Sequence, residues 1–185
     1  MPKYFRYFPE VKYNGKVLTN ITRRVRFTDT IATNPYVFLP YTVKNDEKPE
    51  DVAFYYYGSV DYVWLIYLSN NIIDPYYDWP MNQKNFDNYI IDNYATQANT
   101  TGRAVLDWSM NTEITDNILY YENSEGDRVS PETPDLDPNF VAADWRAIRV
   151  WDYEFERNED RRNILVVDKK YARQMDKELK EIMDV

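Results

Sequence analysis

Strand-type alternation marks the head of the chain, and helical spacing marks its tail. Tyr4, Phe5, Tyr7, Phe8, Val11 and Tyr13 are strand-forming residues. Asn14-Gly15 follows, with Lys16-Val17-Leu18 beyond it, which predicts a tight hairpin. Ile21 to Phe27 reads as a further strand. Ile21, Arg23, Val25 and Phe27 share one side, and Thr22, Arg24 and Arg26 face water or a partner. Asn34-Pro35 and Leu39-Pro40 are expected to break regular structure.

Residues 41–92 are the most legible unit, with the order strand, helix, helix, strand. Tyr41-Thr42-Val43 is the first strand. Pro49 suits the first helical turn, and Glu50 and Asp51 favour the positive end of the helix dipole. Val52 and Tyr56, and Ala53 and Tyr57, are spaced i, i+4, and Gly58 fits the helix-ending position. Ser59 or Asp61 is positioned to cap a second helix carrying Val63, Ile66, Tyr67 and Asn70. Asn70-Asn71 and Asp74-Pro75 end it. An aromatic loop, Tyr76 to Pro80, then leads to Phe86–Ile91 as a return strand.

Residues 93–103 are rich in Asn, Thr and Ala and read as a linker or exposed loop. Val105, Leu106 and Trp108 anchor a short element of either type. Ile118 to Tyr121 reads as a strand, and residues 122–137 as a long acidic loop. Residues 147–156 alternate as a strand, with Ile148, Val150, Asp152, Glu154 and Glu156 on one face and Trp151, Tyr153 and Phe155 on the other. Asn158-Glu159-Asp160 turns, and Asn163 to Val167 returns. A C-terminal helix follows, with Asp168 as N-cap and Tyr171, Met175, Leu179 and Ile182 as its apolar stripe. The expected fold class is α+β. Its organisation is an extended segment with a hairpin (1–40), a central module (41–92), a linker and acidic loop (93–145), and a β-hairpin with a helix (146–185).

Composition removes whole classes of chemistry. In 185 residues there is no Cys and no His, which excludes thiol nucleophiles, imidazole bases and Cys/His zinc sites. The glycines are Gly15, Gly58, Gly102 and Gly126, too far apart for a Gly-rich phosphate loop. No apolar run approaches the ~20 residues of a membrane span. The first residues carry no apolar stretch of the kind a secretory signal needs, so export by that route is not expected. The 31 aromatics supply enough burial area to argue against disorder.

The net charge of −9 is unevenly placed: +5 over residues 1–40, −6 over 41–95, −8 over 96–145 and zero over 146–185. The acidic middle argues against nucleic acid. Arg23, Arg24 and Arg26 suit docking to an acidic protein surface. Asp152, Glu154 and Glu156 suggest carboxylate catalysis, as in glycosidases, but on one strand face such groups are more often solvated or paired with Arg157, Arg161 and Arg162. Asp135 to Asn139 imitates a calcium loop, yet Phe140 stands where Gly is required and Arg146 where Glu is required. The sequons at Asn20 and Asn99 carry no weight without secretion. Tyr76, Tyr77 and Trp79 fit a protein interface, a core or a sugar platform. With Trp151 and Tyr153 they complete the candidate interface set. No catalytic residue, metal ligand or cofactor is expected.

Two resemblances rest on these motifs. Tyr41-Thr42-Val43, the helix ending at Gly58, and Asn71 with Asp74-Pro75 are similar to the LysM module, although Asp46-Glu47-Lys48 stands where such modules carry Gly-Asp-Thr. Asn34-Pro35-Tyr36, Gly58 to Asn71, Asp74 to Pro80, Tyr153-Glu154 and Asn158 to Arg162 together resemble the baseplate wedge protein 53 family of T-even-type contractile-tailed bacteriophages. That resemblance implies a non-enzymatic structural protein of the virion tail baseplate, assembled in the host cytoplasm. It implies as partners other wedge subunits, including large wedge scaffold proteins and the sheath-initiator-like wedge protein, and neighbouring copies in the ring. The LysM likeness alone implies instead a peptidoglycan- or chitin-binding module.

Overall fold

The computed structural model describes residues 4, 7–23, 25–27, 31 and 34–183, without the Ile182 side chain. Phe5 and Arg24 lie outside the described residues. The chain forms two compact units, Met1–Pro80 with Arg161–Val185, and Met81–Asp160.

In the first unit, β1 (Glu10–Tyr13) and β2 (Lys16–Thr19) form the expected hairpin. Asn14 and Gly15 have φ of 48° and 74°, the two left-handed positions that this two-residue turn requires. β3 (Phe38–Thr42) pairs antiparallel with β7 (Asn163–Val167), from Phe38 opposite Val167 to Thr42 opposite Asn163. Asp168 N–H donates to Val37 O and Val43 N–H to Arg162 O. In that bonding phase the backbone groups of Pro40 and Leu165 point away from the partner strand. Pro40 therefore sacrifices no ladder bond and sits inside a strand, where a break was expected.

Between these strands run α1 (Pro49–Tyr57), a single 3₁₀ turn (Val60–Tyr62), α2 (Val63–Ser69) and the short α3 (Pro75–Asp78). Asp51 reaches back to accept from Lys48 N–H at 3.0 Å, and Gly58, at φ 80°, closes α1 by donating to Phe54 O. Ser59 Oγ accepts from Asp61 N–H. α8 (Lys169–Met183) starts where Asp168 accepts from Lys170 N–H. Two apolar clusters hold the unit. One joins Phe8, Trp64, Leu65, Val167, Met175 and Leu179. The other joins Val43, Val52, Ala53, Ile66, Trp79, Ile164 and Val166.

The second unit contains α4 (Gln83–Tyr94), α5 (Arg103–Met110), β4 (Ile118–Asn123), β5 (Arg128–Val129), α6 (Thr133–Leu136), β6 (Trp145–Arg149) and α7 (Val150–Asp160). Its sheet has the order β5-β4-β6, all antiparallel, with an irregularity at Leu119. Met81, Phe86, Ile90, Val105, Trp108 and Val150 form its core. Buried Asn117 donates to Trp108 O and Asn111 O, and so ties the end of α5 to the start of β4.

The mixed α and β composition agrees with the expected class, but several elements differ. The return strand expected at 86–91 is helix α4. Phe86 and Ile90 are buried one turn apart, and Asn82 caps the helix by accepting from Asn85 N–H. The strand expected at 147–156 is β6 only to Arg149 and α7 thereafter, because Val150, Glu154 and Asn158 are buried at helical spacing. Asn158 to Asp160 is helix rather than turn. Asn163 to Val167 is a strand, yet it pairs with β3 and not with a preceding hairpin arm. The order strand, helix, helix, strand therefore closes with residues 163–167 and not within 41–92. Residues 76–78 are part of α3, 93–103 enter helices at both ends, and 122–137 contain β5 and α6. No strand forms at 21–27 among the described residues: Ile21 and Thr22 lie in a turn, while Val25 and Phe27 pack on the first cluster.

Candidate protein interface

The motif Asp74-Pro75-Tyr76-Tyr77-Asp78-Trp79 folds into a locked ledge. Asp74 Oδ1 accepts from Tyr76 N–H at 2.9 Å, and Pro75 starts the turn. Asp78 Oδ2 reaches back to accept from Ile73 N–H and Asp74 N–H, each at 3.0 Å. Bonds from the Asp74 and Ile73 backbones hold the Asp78 carboxyl below its ordinary pKa, and Arg161 adds to this. The reciprocal caps leave Tyr76 70% and Tyr77 50% exposed, beside Ile73 at 75%. The two rings meet edge to face, centroids 5.0 Å apart at 80°. An open cleft of about 440 Å³ borders the ledge, lined by Asn70, Asn71, Ile73, Asp78, Arg161 and Asn163.

Trp79 points the other way. It is 7% exposed, packs in the second cluster, and its Nε1–H donates to Glu47 O at 2.8 Å. It is a core residue, a correction to its place in the candidate interface set. The same loop receives a second clamp, since Tyr41 Oη donates to Glu47 Oε1 at 2.8 Å. Burial, then the bond to Glu47, pushes the Tyr41 phenol up to about 12.

Arg23 and Arg26 are exposed, whereas Arg24 lies outside the described residues. Arg26 lines a cleft of about 260 Å³ with Phe27, Phe38, Leu68 and Leu165. In the second unit, Trp151 is half-buried against the core, edge-on to Phe86 at 5.0 Å. Tyr153 stands edge-on to Tyr120 at 6.2 Å. Arg157 lies over the Tyr153 ring and Arg128 over the Tyr120 ring. Tyr76 and Tyr77 form one exposed surface, Trp79 is interior, and Trp151 supports the other unit's core.

The carboxylates of α7 do not converge. Glu154 is 5% exposed, accepts from Tyr94 Oη at 2.7 Å and meets Arg157 at 3.4 Å. Asp152 and Glu156 are exposed. Burial and the bond to Glu154 push the Tyr94 phenol well above its ordinary pKa. Among the described residues no group of three or more acidic side chains is arranged to hold a metal ion.

Two exposed features were not singled out from the sequence. Phe54 and Tyr55 on α1 are 56% and 75% exposed, as follows once Val52, Ala53, Tyr56 and Tyr57 are assigned inward. The β1–β2 hairpin also carries exposed apolar side chains, and its alternation was the available signal.

The family model for base plate wedge protein 53 matches residues 4–182. The baseplate wedge protein gp53 of Enterobacteria phage T4 is 26% identical over 89 residues, covering 43% of this chain and 45% of that protein. The match thus spans less than half the length of that curated relative.

Proposed function

The chain belongs to the base plate wedge protein 53 family, and from that premise we propose that it binds neighbouring wedge proteins and helps join wedges into the baseplate ring. Family membership carries a structural role in the virion tail baseplate. The finer reading is that it works without catalysis, by presenting rigid surfaces to large wedge scaffold proteins and the sheath-initiator-like wedge protein. The observation that carries this reading is the family match over residues 4–182. Two exposed tyrosines on a doubly capped ledge support it. Tyrosine suits interfaces because its ring contributes apolar area at little entropic cost while its hydroxyl finds polar partners.

The alternative, a peptidoglycan- or chitin-binding module, draws on the same aromatics. Burial of Trp79 weakens it, because sugar stacking needs an open ring face and that ring offers none. Wedges assembled from purified components with and without this chain test the proposal. Wedges lacking it should fail to close into rings, and those carrying Tyr76→Ala with Tyr77→Ala should close poorly. Normal ring closure without the chain would sink the reading. So would saturable binding to peptidoglycan or chitin oligomers that is lost on Tyr76→Ala.

A further inference from the structure

The β1–β2 hairpin is a ribbon whose side chains are nearly all exposed. All four residues of β1 are exposed, as are Lys16, Val17 and Leu18 of β2. Residues directly opposite one another share a face. The register therefore puts Val11, Leu18 and Tyr13 together, with Lys16 beside them, and these apolar groups are 40%, 46% and 66% exposed. With Lys12 on the reverse face and Arg23 following in sequence, residues 10–23 carry three basic side chains against one acid, Glu10. A bare two-stranded hairpin is marginal in water, so an apolar face of this kind calls for a cover.

The complementary surface lies in the same sequence. Residues 129–145 contain Glu132, Asp135, Asp137 and Asp144 and no Lys or Arg. All four acids are exposed, and among them Leu136 is 79% and Val141 54% exposed. The unit that holds them, Met81–Asp160, carries six basic and seventeen acidic residues, net −11. The remaining residues carry sixteen basic and fourteen acidic, net +2. The chain thus offers an exposed apolar hairpin face among basic residues and, in its other unit, an acidic segment that exposes Leu136 and Val141.

We propose that the Val11–Leu18–Tyr13 face of the hairpin docks on the exposed acidic segment around Leu136 and Val141, here its patch, of a second copy of this chain. The contact is heterologous: each copy offers one hairpin and one patch, so copies link head to tail and close into a ring where the rotation allows. This deepens the proposed joining of wedges and rests on that reading only for its setting. The contact itself is a property of the purified chain.

Sedimentation velocity of the full chain at low and high salt tests it. Low salt should give species larger than the monomer that grow with concentration, and raised salt should weaken them by about tenfold or more, since exposed charges are screened. Leu18→Glu and Leu136→Glu should each leave a monomer with unchanged circular dichroism, both side chains being exposed. Mixed together, the two variants retain one intact hairpin and one intact patch, and should form a dimer and nothing larger. Lys12→Glu with Lys16→Glu should also break the contact, and Asp135→Lys with Asp137→Lys on the other copy should restore it. A wild-type chain that stays monomeric overturns the proposal. So does association that survives Leu136→Glu, as hairpin-to-hairpin pairing would, or a variant mixture that stays monomeric. Ring closure that depends on Tyr76 and Tyr77 is a separate measurement and stands or falls apart from these results.

Discussion

The Asn70 carboxamide occupies the open edge of β7 at Leu165. Leu165 N–H donates to Asn70 Oδ1 at 2.7 Å, and Asn70 Nδ2 donates to Leu165 O at 2.8 Å. One side chain thereby makes the two bonds that a neighbouring strand would make. Pro40, directly across the pair, presents no N–H on the opposite edge. A two-stranded sheet is thus closed against strand addition at its middle on both sides. Asn70→Ala removes both bonds and should cost about 1–3 kcal/mol, at roughly 0.5–1.5 kcal/mol net per bond. In a chain of this length that lowers the melting temperature by roughly 2–4 °C per kcal/mol. Light scattering on warming should rise as the edge opens. Asn70→Asp keeps the acceptor but sets a carboxylate against Leu165 O, and should not rescue stability.

Local signals were legible wherever a few neighbouring residues decide the outcome. Asn14-Gly15, Pro49 with Gly58, and Asp168 each marked a turn or helix end that the structure contains. What the sequence did not disclose is pairing at a distance. Residues 163–167 read as a strand, but their partner is β3, more than a hundred residues earlier. The aromatic segments at 86–91 and 151–155 have strand-forming composition and fold as helices. Burial at i, i+4 by Phe86 and Ile90, and by Val150 and Glu154, outweighs their intrinsic preference. At the ledge the motif was visible, but not the division of its aromatics. The bond from Trp79 Nε1 to Glu47 O depends on a loop 32 residues away.

That division gives a direct contrast between neighbours. Trp79→Ala removes a buried ring and orphans Glu47 O, and should destabilise by about 3–5 kcal/mol. Tyr76→Ala with Tyr77→Ala removes exposed rings, and should change stability by no more than about 0.5 kcal/mol each. Denaturant melts read both. A double tyrosine variant as unstable as Trp79→Ala would make the ledge part of the core and not a surface for partners.

Asp78 should contribute to the acid limb of stability. Its folded carboxyl is held below the ordinary value near 3.9 by the Asp74 and Ile73 amides. The folded state therefore prefers the charged form. The resulting stability is complete above the unfolded value and is lost as pH falls through the lower folded one. Urea midpoints followed from about pH 6 down to about pH 2 should fall less steeply in Asp78→Asn than in wild type. Asp78→Ala, which removes the acceptor as well as the charge, unlocks the ledge, so partner binding at neutral pH should weaken in it even though both tyrosines remain.

Asn158 closes the second unit at its base. Its Oδ1 accepts from Met81 N–H at 2.7 Å, its Nδ2 donates to Met81 O at 3.1 Å, and both residues are buried. Asn158→Ala strands a donor and an acceptor away from water, which costs about 2–5 kcal/mol at roughly 1–3 kcal/mol per orphaned group. Asn158→Asp should not restore this, because a buried carboxylate would face Met81 O. Hydrogen exchange should show the start of α4 opening before the rest of the unit. Unchanged protection there would mean that the clamp holds nothing that the core does not already hold.

Tyr41 sets a limit on alkaline stability. Its phenol is pushed from the ordinary value near 10 up to about 12 by burial, by donation to Glu47 and by the Glu47 charge. Folding favours the protonated phenol, so the stability it contributes is whole below about pH 10 and disappears as pH rises through about 12. Tyr67 behaves in the same sense, raised to about 12 by burial and by Glu50. Phenolate absorbance should therefore appear late for these two residues and coincide with loss of structure in the first unit. Tyr41→Phe removes one of the late phenols together with its bond to Glu47. The variant should be less stable than wild type at neutral pH, and the gap should close as pH climbs towards 12. A gap that stays constant across that range would show that the Tyr41 phenol ionises alike in the folded and unfolded chain, contrary to the clamp on the Glu47 loop.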